Sequence, residues 1–522
     1  MRTSSDPAAS PLWLPRALNH RPTGTVLGLT VLAALAIRLY LSLTSFCISG
    51  DGVAYIAMAR DFAAGEPARA LRSVFSPLYP WIVAGAHRLI SNWELAGNLV
   101  SAILGSGAVA TVYLMTREAF ERDDLAIAAA VLAAIQPDMA AYSASVRTEA
   151  GFIFLMTAAL WILIAGLKRR RIAVVAAAGL CGGVAYLYRT EAIGLMLFTV
   201  GFIPAAALWW RRWSFRWALV AALIFAACFL AVAAPYLIYL RETTGRWSVG
   251  REFTAAMMYG MGEVAPDAAR WQRLGYSTHV SPFAQILAHP RLYLEKASND
   301  FFASLYGFIQ ALGPLLTVLL AVGIWRRGRA LRDNFAEALL ALFTAFYIVG
   351  FSLSYTGARF MLHLIPFTFG WVIIGLETAS IAFDKLTAGG RFAWVPRCAP
   401  AIVLALILLP RTLWPIGYDM RGVRYAGEEI ARLTAGQPTA VVARDGRFAY
   451  YAGASFILMP LSGTADFCEW LESHNRAGYL AVGNRDERRM GITAATPCLS
   501  LIQRYPRYGT GYFDLFKVRH SK

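Results

Sequence analysis

"VLGLTVLAALAIRLYLSLTSFCISGDGVAYIAMARDFAAG", residues 26–65, decides how the rest of the chain is read. Its first half, Val26 to Phe46, is predominantly apolar and carries a single charge, Arg38. A bilayer core about 30 Å thick takes roughly 20 such residues as a helix. The second half passes through Gly50-Asp51-Gly52 into apolar residues at helical spacing between polar ones, the pattern of a short helix lying in a membrane interface. A lone carboxylate on a glycine-flanked turn, directly after a lipid-length helix, is presented at a membrane surface. The local alternative for Asp51 is a turn residue, because Asp and Gly both favour turns.

The same apolar pattern recurs through all 522 residues. Hydrophobic residues make up 57% and charged residues 16%, and the mean hydropathy is positive. That is too apolar for a chain whose whole surface meets water. Lipid-length or nearly lipid-length runs are Val26 to Phe46, Ala96 to Met115, Leu125 to Met139, Phe152 to Leu167, Ile172 to Tyr188, Ile193 to Trp210, Trp217 to Leu240, Phe301 to Trp325, Ala336 to Tyr355, Phe360 to Phe383 and Pro400 to Trp414. These eleven runs predict a polytopic α-helical membrane protein. The first is too long for a signal-peptide core and reads as a retained helix.

A formal net charge of +17 would suit a nucleic-acid binder if the basic residues shared one face of a soluble domain. They sit instead in short clusters between apolar runs, so they report topology and imply no nucleic-acid partner. With the N-terminus cytoplasmic, the inside loops hold Arg16 and Arg21, Arg117 and Arg122, Lys168 to Arg171, Arg211, Arg212 and Arg216, Arg326, Arg327, Arg329 and Arg332, and Lys385, Arg391 and Arg397. Every inside loop is basic, which predicts a multi-pass protein of the cytoplasmic (inner) membrane with its C-terminus extracytoplasmic. The predicted divisions are a cytoplasmic tail over 1–25, a transmembrane module over 26–414 with outer loops 47–95 and 241–300, and an extracytoplasmic domain over 415–522.

That last segment carries "TAVVARDG", "SFILMPL" and "AGYLAVGN", short apolar runs bounded by Gly, Asp and Asn, together with a helical stretch "GEEIARLTA". It reads as a small α/β domain of about 100 residues. Of the six cysteines, Cys468 and Cys498 share this segment, where a disulfide is open to them if it faces an oxidising compartment. Spacing alone leaves the bridged and free states both open. No cysteine has the CxxC or His-paired spacing of a zinc or redox site.

Some charges on the predicted outer side are not explained by topology: Asp51; Arg147 and Glu149 in "YSASVRTEAGFIF"; Arg189 and Glu191 in "YLYRTEAIGL"; Arg359 and His363 in "YTGARFMLHLIPF"; and Asp61, Arg69 and Arg72 in the first loop. An ionisable group at a membrane-helix centre costs about 2.5 to 3.5 kcal/mol on insertion scales and less near the surface. Each Arg/Glu pair alone reads as a local ion pair at a helix mouth, with the arginine reaching toward the headgroups. His363 alone reads as a packed histidine, and Asp61 as a surface residue. "RTE" occurs twice, however, each time where a helix re-enters the membrane from the same face, and that predicts one shared polar cavity. Arginines bind phosphate bidentately and stabilise charge on a departing phosphate, and a nearby ionised carboxylate takes the proton of an attacking hydroxyl.

These residues, in this order, resemble the GT-C membrane glycosyltransferases, in the polyprenyl-phosphate-sugar branch that includes protein O-mannosyltransferases and bacterial aminoarabinose transferases. The resemblance rests on "DGVAYIAMARDFAAG" from Asp51 to Gly65, "SPLYPWIVA" from Ser76 to Ala84, "TEAGFIFL" from Thr148, "RTEAIG" from Arg189 and "ARFMLHLIPF" from Ala358, and it runs from end to end of the chain. It implies an inverting transferase that uses a polyprenyl-phosphate-linked sugar and a lipid, glycan or protein acceptor among membrane lipids. Asp51 and Glu149 would be its catalytic acids, and Arg189, Arg147, Arg359 and Arg72 its donor-phosphate ligands. Glu191, Tyr55 and His363 would support them. Many relatives carry a second acid directly after the first; here that place is Gly52, which weakens the case for a divalent metal, and no cofactor is firmly implied. The basic residue often found before the Pro-Leu-Tyr motif is absent too, so that either Arg72 substitutes for it or the phosphate is bound differently. The alternative from another class is a lipid-linked glycan flippase or transporter, which would place ionisable groups near the bilayer midplane with a route to both sides.

Overall fold

The structure is a computed structural model that describes residues 23–251, 253–258, 260–264, 281–328, 330–354, 356–387, 398–460, 467–474, 476–507 and 511–519. Residues 1–22 of the predicted tail and 265–280 of the second predicted outer loop lie outside the described residues. Among the described residues seven helices are long and apolar enough to cross a membrane, or eight if a bent pair counts as one span. The helices Ile172–Tyr188 and Ala399–Thr412 are apolar but shorter.

Every predicted apolar run is helical over most of its described length; Phe360 to Phe383 passes through a tighter 3-10 segment over Leu362–Thr368, and two others are broken for local reasons. The run from Leu125 to Met139 divides into Asp123–Ile135 and Pro137–Tyr142, because Pro137 has no N–H to continue the ladder. The break leaves carbonyls without helical partners. Arg38, fully buried, donates to two of them, Ala134 O (3.3 Å) and Ala133 O (3.4 Å), and also to Ser143 Oγ (3.0 Å) and Ala34 O (3.1 Å). The lone arginine of the first helix is thus a cap for its neighbour. The run from Phe301 to Trp325 is not one straight span: Pro290–Leu312 and Pro314–Arg327 meet at Gly313 with a bend of 102°. Gly313 adopts φ 92°, which only glycine reaches cheaply, and Pro314 restarts the helix. The first of these helices begins before the apolar run because Lys296 and Asp300, one turn apart, neutralise each other at 2.6 Å.

The described parts of the predicted inside loops near 117–122, 168–171, 210–216 and 326–334 meet at one end of the bundle. Lys168 pairs with Glu121 (2.6 Å), Arg169 with Glu118 (3.0 Å) and Arg122 with Glu377 (3.1 Å), while Trp210 Nε1 donates to Arg332 O (2.7 Å) and Asn334 Nδ2 to Ala119 O (2.9 Å). The first-loop helices Gly50–Ala63, Pro67–Ala70 and Leu78–His87 lie with the C-terminal segment: Phe46 N–H donates to Ile416 O (2.9 Å), and Tyr451 takes the Ile48 N–H on its hydroxyl (2.6 Å).

The C-terminal segment folds as a five-stranded sheet, with β1 Ala440–Ala443, β2 Ser455–Leu458, β3 Ala477–Gly483, β4 Leu499–Pro506 and β5 Tyr512–Val518, in the order β2-β1-β3-β5-β4. β1 is parallel to β2 and β3, and β5 is antiparallel to β3 and β4. β1 to β3 are the three short apolar runs of the sequence; β4 and β5 carry charges and escaped the pattern. Helix Arg421–Thr434 buries Val423, Ala426 and Ile430 in the core of this domain and packs Gly427 against the helix Arg447–Ala452. Cys468 and Cys498 are bridged, their Cα atoms 5.6 Å apart.

Helices Pro314–Arg327 and Phe369–Thr387 touch backbone to backbone. A Cβ on Gly375 would lie 1.9 Å from Leu319 O, and one on Gly323 1.8 Å from Trp371 O. Overpacking a core costs about 1–3 kcal/mol, and here the obstacle is main chain. Gly375→Val is therefore expected to lower the unfolding temperature of the detergent-solubilised protein by several degrees. Gly201→Val, whose Cβ meets nothing within 4 Å, serves as the control and leaves it nearly unchanged.

Candidate active site

The end of the bundle that carries the first-loop helices gathers most of the singled-out charges into one network. Asp51 lies in the first turn of Gly50–Ala63, whose start is fixed by Ser49. The Ser49 hydroxyl accepts from Gly52 N–H (3.0 Å) and donates to Val146 O (2.7 Å), tying Asp51 to the first "RTE" segment. Glu149 opens the helix Glu149–Lys168, and Arg189 stands extended between Tyr188 and the short turn Thr190–Ala192.

Arg359 joins these pieces. Its Nη1 lies 2.6 Å from Asp51 Oδ2, and its Nε donates to Glu149 Oε1. Arg189 reaches the same Glu149 oxygen from the other side at 3.4 Å, pairs with Glu191 Oε1 at 2.5 Å and donates to Thr148 Oγ1 at 3.1 Å. The two "RTE" copies therefore meet, the arginine of the second binding the glutamate and threonine of the first. Glu149 is almost wholly buried, with Oε2 lacking a hydrogen-bond partner among the described residues. Asp51 and Arg359 have side chains 31% and 27% exposed, so the network opens to solvent on their side.

Arg147 belongs to the same end but makes no ion pair among the described residues. Its guanidinium lies 4.5 Å from the Tyr142 ring centroid, and its carbonyl accepts from Ser101 Oγ at 3.1 Å. Tyr55 is buried one turn beyond Asp51, its hydroxyl 3.4 Å from Thr148 Oγ1 and its ring against Phe75 and Tyr79. Burial pushes the Tyr55 phenol far above its ordinary pKa; Arg189 pulls against this and Glu149 and Asp51 add to it. The phenol stays a donor. His363 is buried among Phe152, Tyr347 and Phe351, and its Nε2 has no hydrogen-bond partner among the described residues.

Arg72 does not join them. It is exposed after the turn of Pro67–Ala70, while Arg69 pairs locally with Asp61 (3.3 Å) and Glu66 (3.2 Å). A divalent cation wants several oxygen ligands. Asp51 and Glu149 are both committed to Arg359, and among the described residues no three His, Cys, Asp or Glu side chains come together to hold a metal ion. The side chains present do not form such a site.

Other contributors carry no signal that spacing reveals. Thr148 bridges Tyr55 and Arg189 through its hydroxyl. Gly151 makes room for Tyr188, since a Cβ there would sit 2.2 Å from the Tyr188 ring. The loop before Arg359 is held by Tyr293, which donates to Leu353 O at 2.7 Å, and by Lys296, which donates to Ser354 O at 3.3 Å.

Removing one partner of a buried ion network leaves uncompensated charge and costs about 3–5 kcal/mol. Glu149→Gln is therefore expected to lower thermal stability measurably in detergent. Arg72→Gln, on an exposed side chain, should stay within about 0.5 kcal/mol of the parent in the same assay.

Residues 74–239 match the family model described as dolichyl-phosphate-mannose-protein mannosyltransferase. No curated protein matches the chain significantly. Among solved structures, ArnT from Cupriavidus metallidurans bound to undecaprenyl phosphate aligns with TM-score 0.59 at 16% identity, over 95% of this chain and 98% of that one. The Archaeoglobus fulgidus oligosaccharyltransferase in complex with Zn and sulfate aligns with TM-score 0.58 at 15% identity, over 88% of this chain and 67% of that one. The archaeal oligosaccharyltransferase AglB from the same organism, in complex with an inhibitory peptide and a dolichol-phosphate, gives 0.54 at 14%, over 88% and 69%. The chain shares a GT-C-like fold with these membrane proteins.

Proposed function

We propose that the protein transfers a sugar from a polyprenyl-phosphate donor to a lipid, glycan or protein acceptor at the outer face of the cytoplasmic membrane. The observation that carries this reading is the convergence of Asp51, Glu149, Glu191, Arg189 and Arg359 in one network beside the first-loop helices. The family match and the ArnT likeness support a lipid-linked donor. The gathering of basic loops at the opposite end supports an outward-facing site.

In the reaction, an acceptor hydroxyl attacks the anomeric carbon while the bond from that carbon to the donor phosphate oxygen breaks. Asp51, on the solvent side of the network, takes the hydroxyl proton. Negative charge grows on the departing lipid phosphate, and the guanidinium groups gathered beside it stabilise that charge. Arg147 has no carboxylate to release and is the first candidate to meet the phosphate; Arg359 follows by giving up one of its two acids. Glu191 and Glu149 hold Arg189 in place from two sides. Attack from the face opposite the phosphate inverts the anomeric centre. If the acceptor is itself a phosphate, no strong base is needed and Asp51 orients it.

The flippase alternative would use the same arginines without breaking a bond. Arg38, the deep charge that such a route would call on, is instead spent on Ser143 and three backbone carbonyls, which favours the transferase.

A panel of radiolabelled polyprenyl-phosphate sugars supplied to membranes tests the reading. The parent protein should transfer label from at least one donor, and Asp51→Asn should lose about 10²–10⁴-fold of that rate, the usual worth of a positioned acid or base. Equal transfer by both proteins contradicts the role of Asp51. Lipid translocation with no transfer from any donor would assign the flippase.

A further inference from the structure

Away from this network, the C-terminal domain holds a cavity of about 790 Å³ with an unusual lining. Arg444, Arg485, Arg488, Arg489 and Arg507 line it, opposed by only Asp419 and Asp486 among the acids. None of the five arginines makes an ion pair among the described residues. Arg444 donates to Pro460 O (3.2 Å), Arg488 to Asn484 O (3.2 Å), and the Arg507 guanidinium lies 5.3 Å from the Phe513 ring centroid. Arg485, Arg488, Arg489 and Arg507 are exposed. Elsewhere in the same domain four arginines are matched: Arg504 with Asp514, Arg447 with Asp445, Arg424 with Glu428 and Arg432 with Glu429.

The position of the cavity is set by topology. The chain runs from β1 to β2 on one side, then returns to β3 on the other side of β1, so the connections diverge between β1 and β3. Ligands of open α/β sheets bind in the crevice outside the carboxyl ends of the strands at such a point. Arg444 directly follows β1, Gly483 ends β3, and Arg507 directly follows β4 at the same edge. Asp419, on the rim, lies two residues beyond Gly417, which packs against Cys47 at the root of the first loop.

Like charges gathered without counter-ions repel one another, and an anion relieves them all at once. Arginine forks match phosphate oxygens bidentately. We propose that this cavity is a binding site for phosphate-bearing ligands, separate from the Asp51–Arg189–Arg359 network. Two sources supply that chemistry, a soluble phosphorylated molecule and the headgroup of an anionic phospholipid at the membrane surface.

The test uses the full chain in nanodiscs, with Arg485→Gln/Arg489→Gln as the variant and Arg485→Lys/Arg489→Lys as the charge-keeping control. Inorganic pyrophosphate is titrated calorimetrically in phosphatidylcholine discs, and amide exchange of residues 483–490 is compared between phosphatidylcholine and phosphatidylglycerol discs. Pyrophosphate binding weakened about ten-fold or more in the Gln variant and kept in the Lys variant supports the site with a soluble ligand. Protection by phosphatidylglycerol alone, lost in the Gln variant and kept in the Lys variant, supports it with a headgroup ligand. Engagement of neither by the parent protein, or equal engagement by parent and Gln variant, overturns the proposal.

Discussion

One carboxylate oxygen, Glu149 Oε1, is shared by Arg359 and Arg189, and the site depends on that sharing. Two guanidinium groups brought together in a largely buried site would repel each other. At an effective dielectric of about 20, unit charges 4 Å apart interact by roughly 4 kcal/mol, enough to push either arginine out toward the headgroups. Glu149 between them reverses the sign. Asp51 and Glu191, at the two ends, complete an alternating row of acid and base. The chain thus keeps two guanidinium groups side by side, which under the proposed function is what a donor phosphate requires.

The row also explains why distant parts of the chain must fold together. Asp51 comes from the first loop, Glu149 and Arg189 from the two "RTE" turns, and Arg359 from the turn before the last long buried segment. Arg359 is positioned from behind by helix Pro290–Leu312, whose Tyr293 and Lys296 hold the Leu353 and Ser354 carbonyls. Buried polar groups of this kind cost free energy unless each is partnered, so they specify one arrangement of helices where apolar packing alone would tolerate several. Among the described residues, Oε2 of Glu149 lacks a hydrogen-bond partner within the network, and so does Nε2 of His363 beside it.

Much of the fold was legible because lipid-length apolar runs and positive loops are strong signals. Helices Ile172–Tyr188 and Ile193–Trp210 begin and end where the apolar runs do. The bend at Gly313 was present in the sequence as Gly-Pro, but a continuous apolar composition masked it. Lys296 and Asp300 looked like a loop because their neutralisation one turn apart is invisible in a hydropathy profile. β4 and β5 were missed because an edge strand with alternating exposure and a strand carrying Asp514 and Lys517 look polar in one dimension. At the site, the repeated "RTE" correctly pointed to a meeting of two turns, yet each arginine also had a local reading, and Arg189–Glu191 is a local pair as well as part of the network. Arg72 shared only a loop with the other charges, and loop membership did not bring it to them. Thr148 and Gly151 act through a hydroxyl position and an absent Cβ, neither of which a spacing pattern encodes.

The central claim is that this row of charges receives the phosphate of a lipid-linked donor. The most direct measurement is a cryo-electron microscopy structure of the protein with polyprenyl phosphate bound in a nanodisc. The account predicts the phosphate within about 4 Å of Arg147, Arg189 or Arg359, with the Arg359–Asp51 contact opened and Asp51 facing the acceptor side. A lipid phosphate bound elsewhere, with Arg359 still lodged between Asp51 and Glu149, would contradict it.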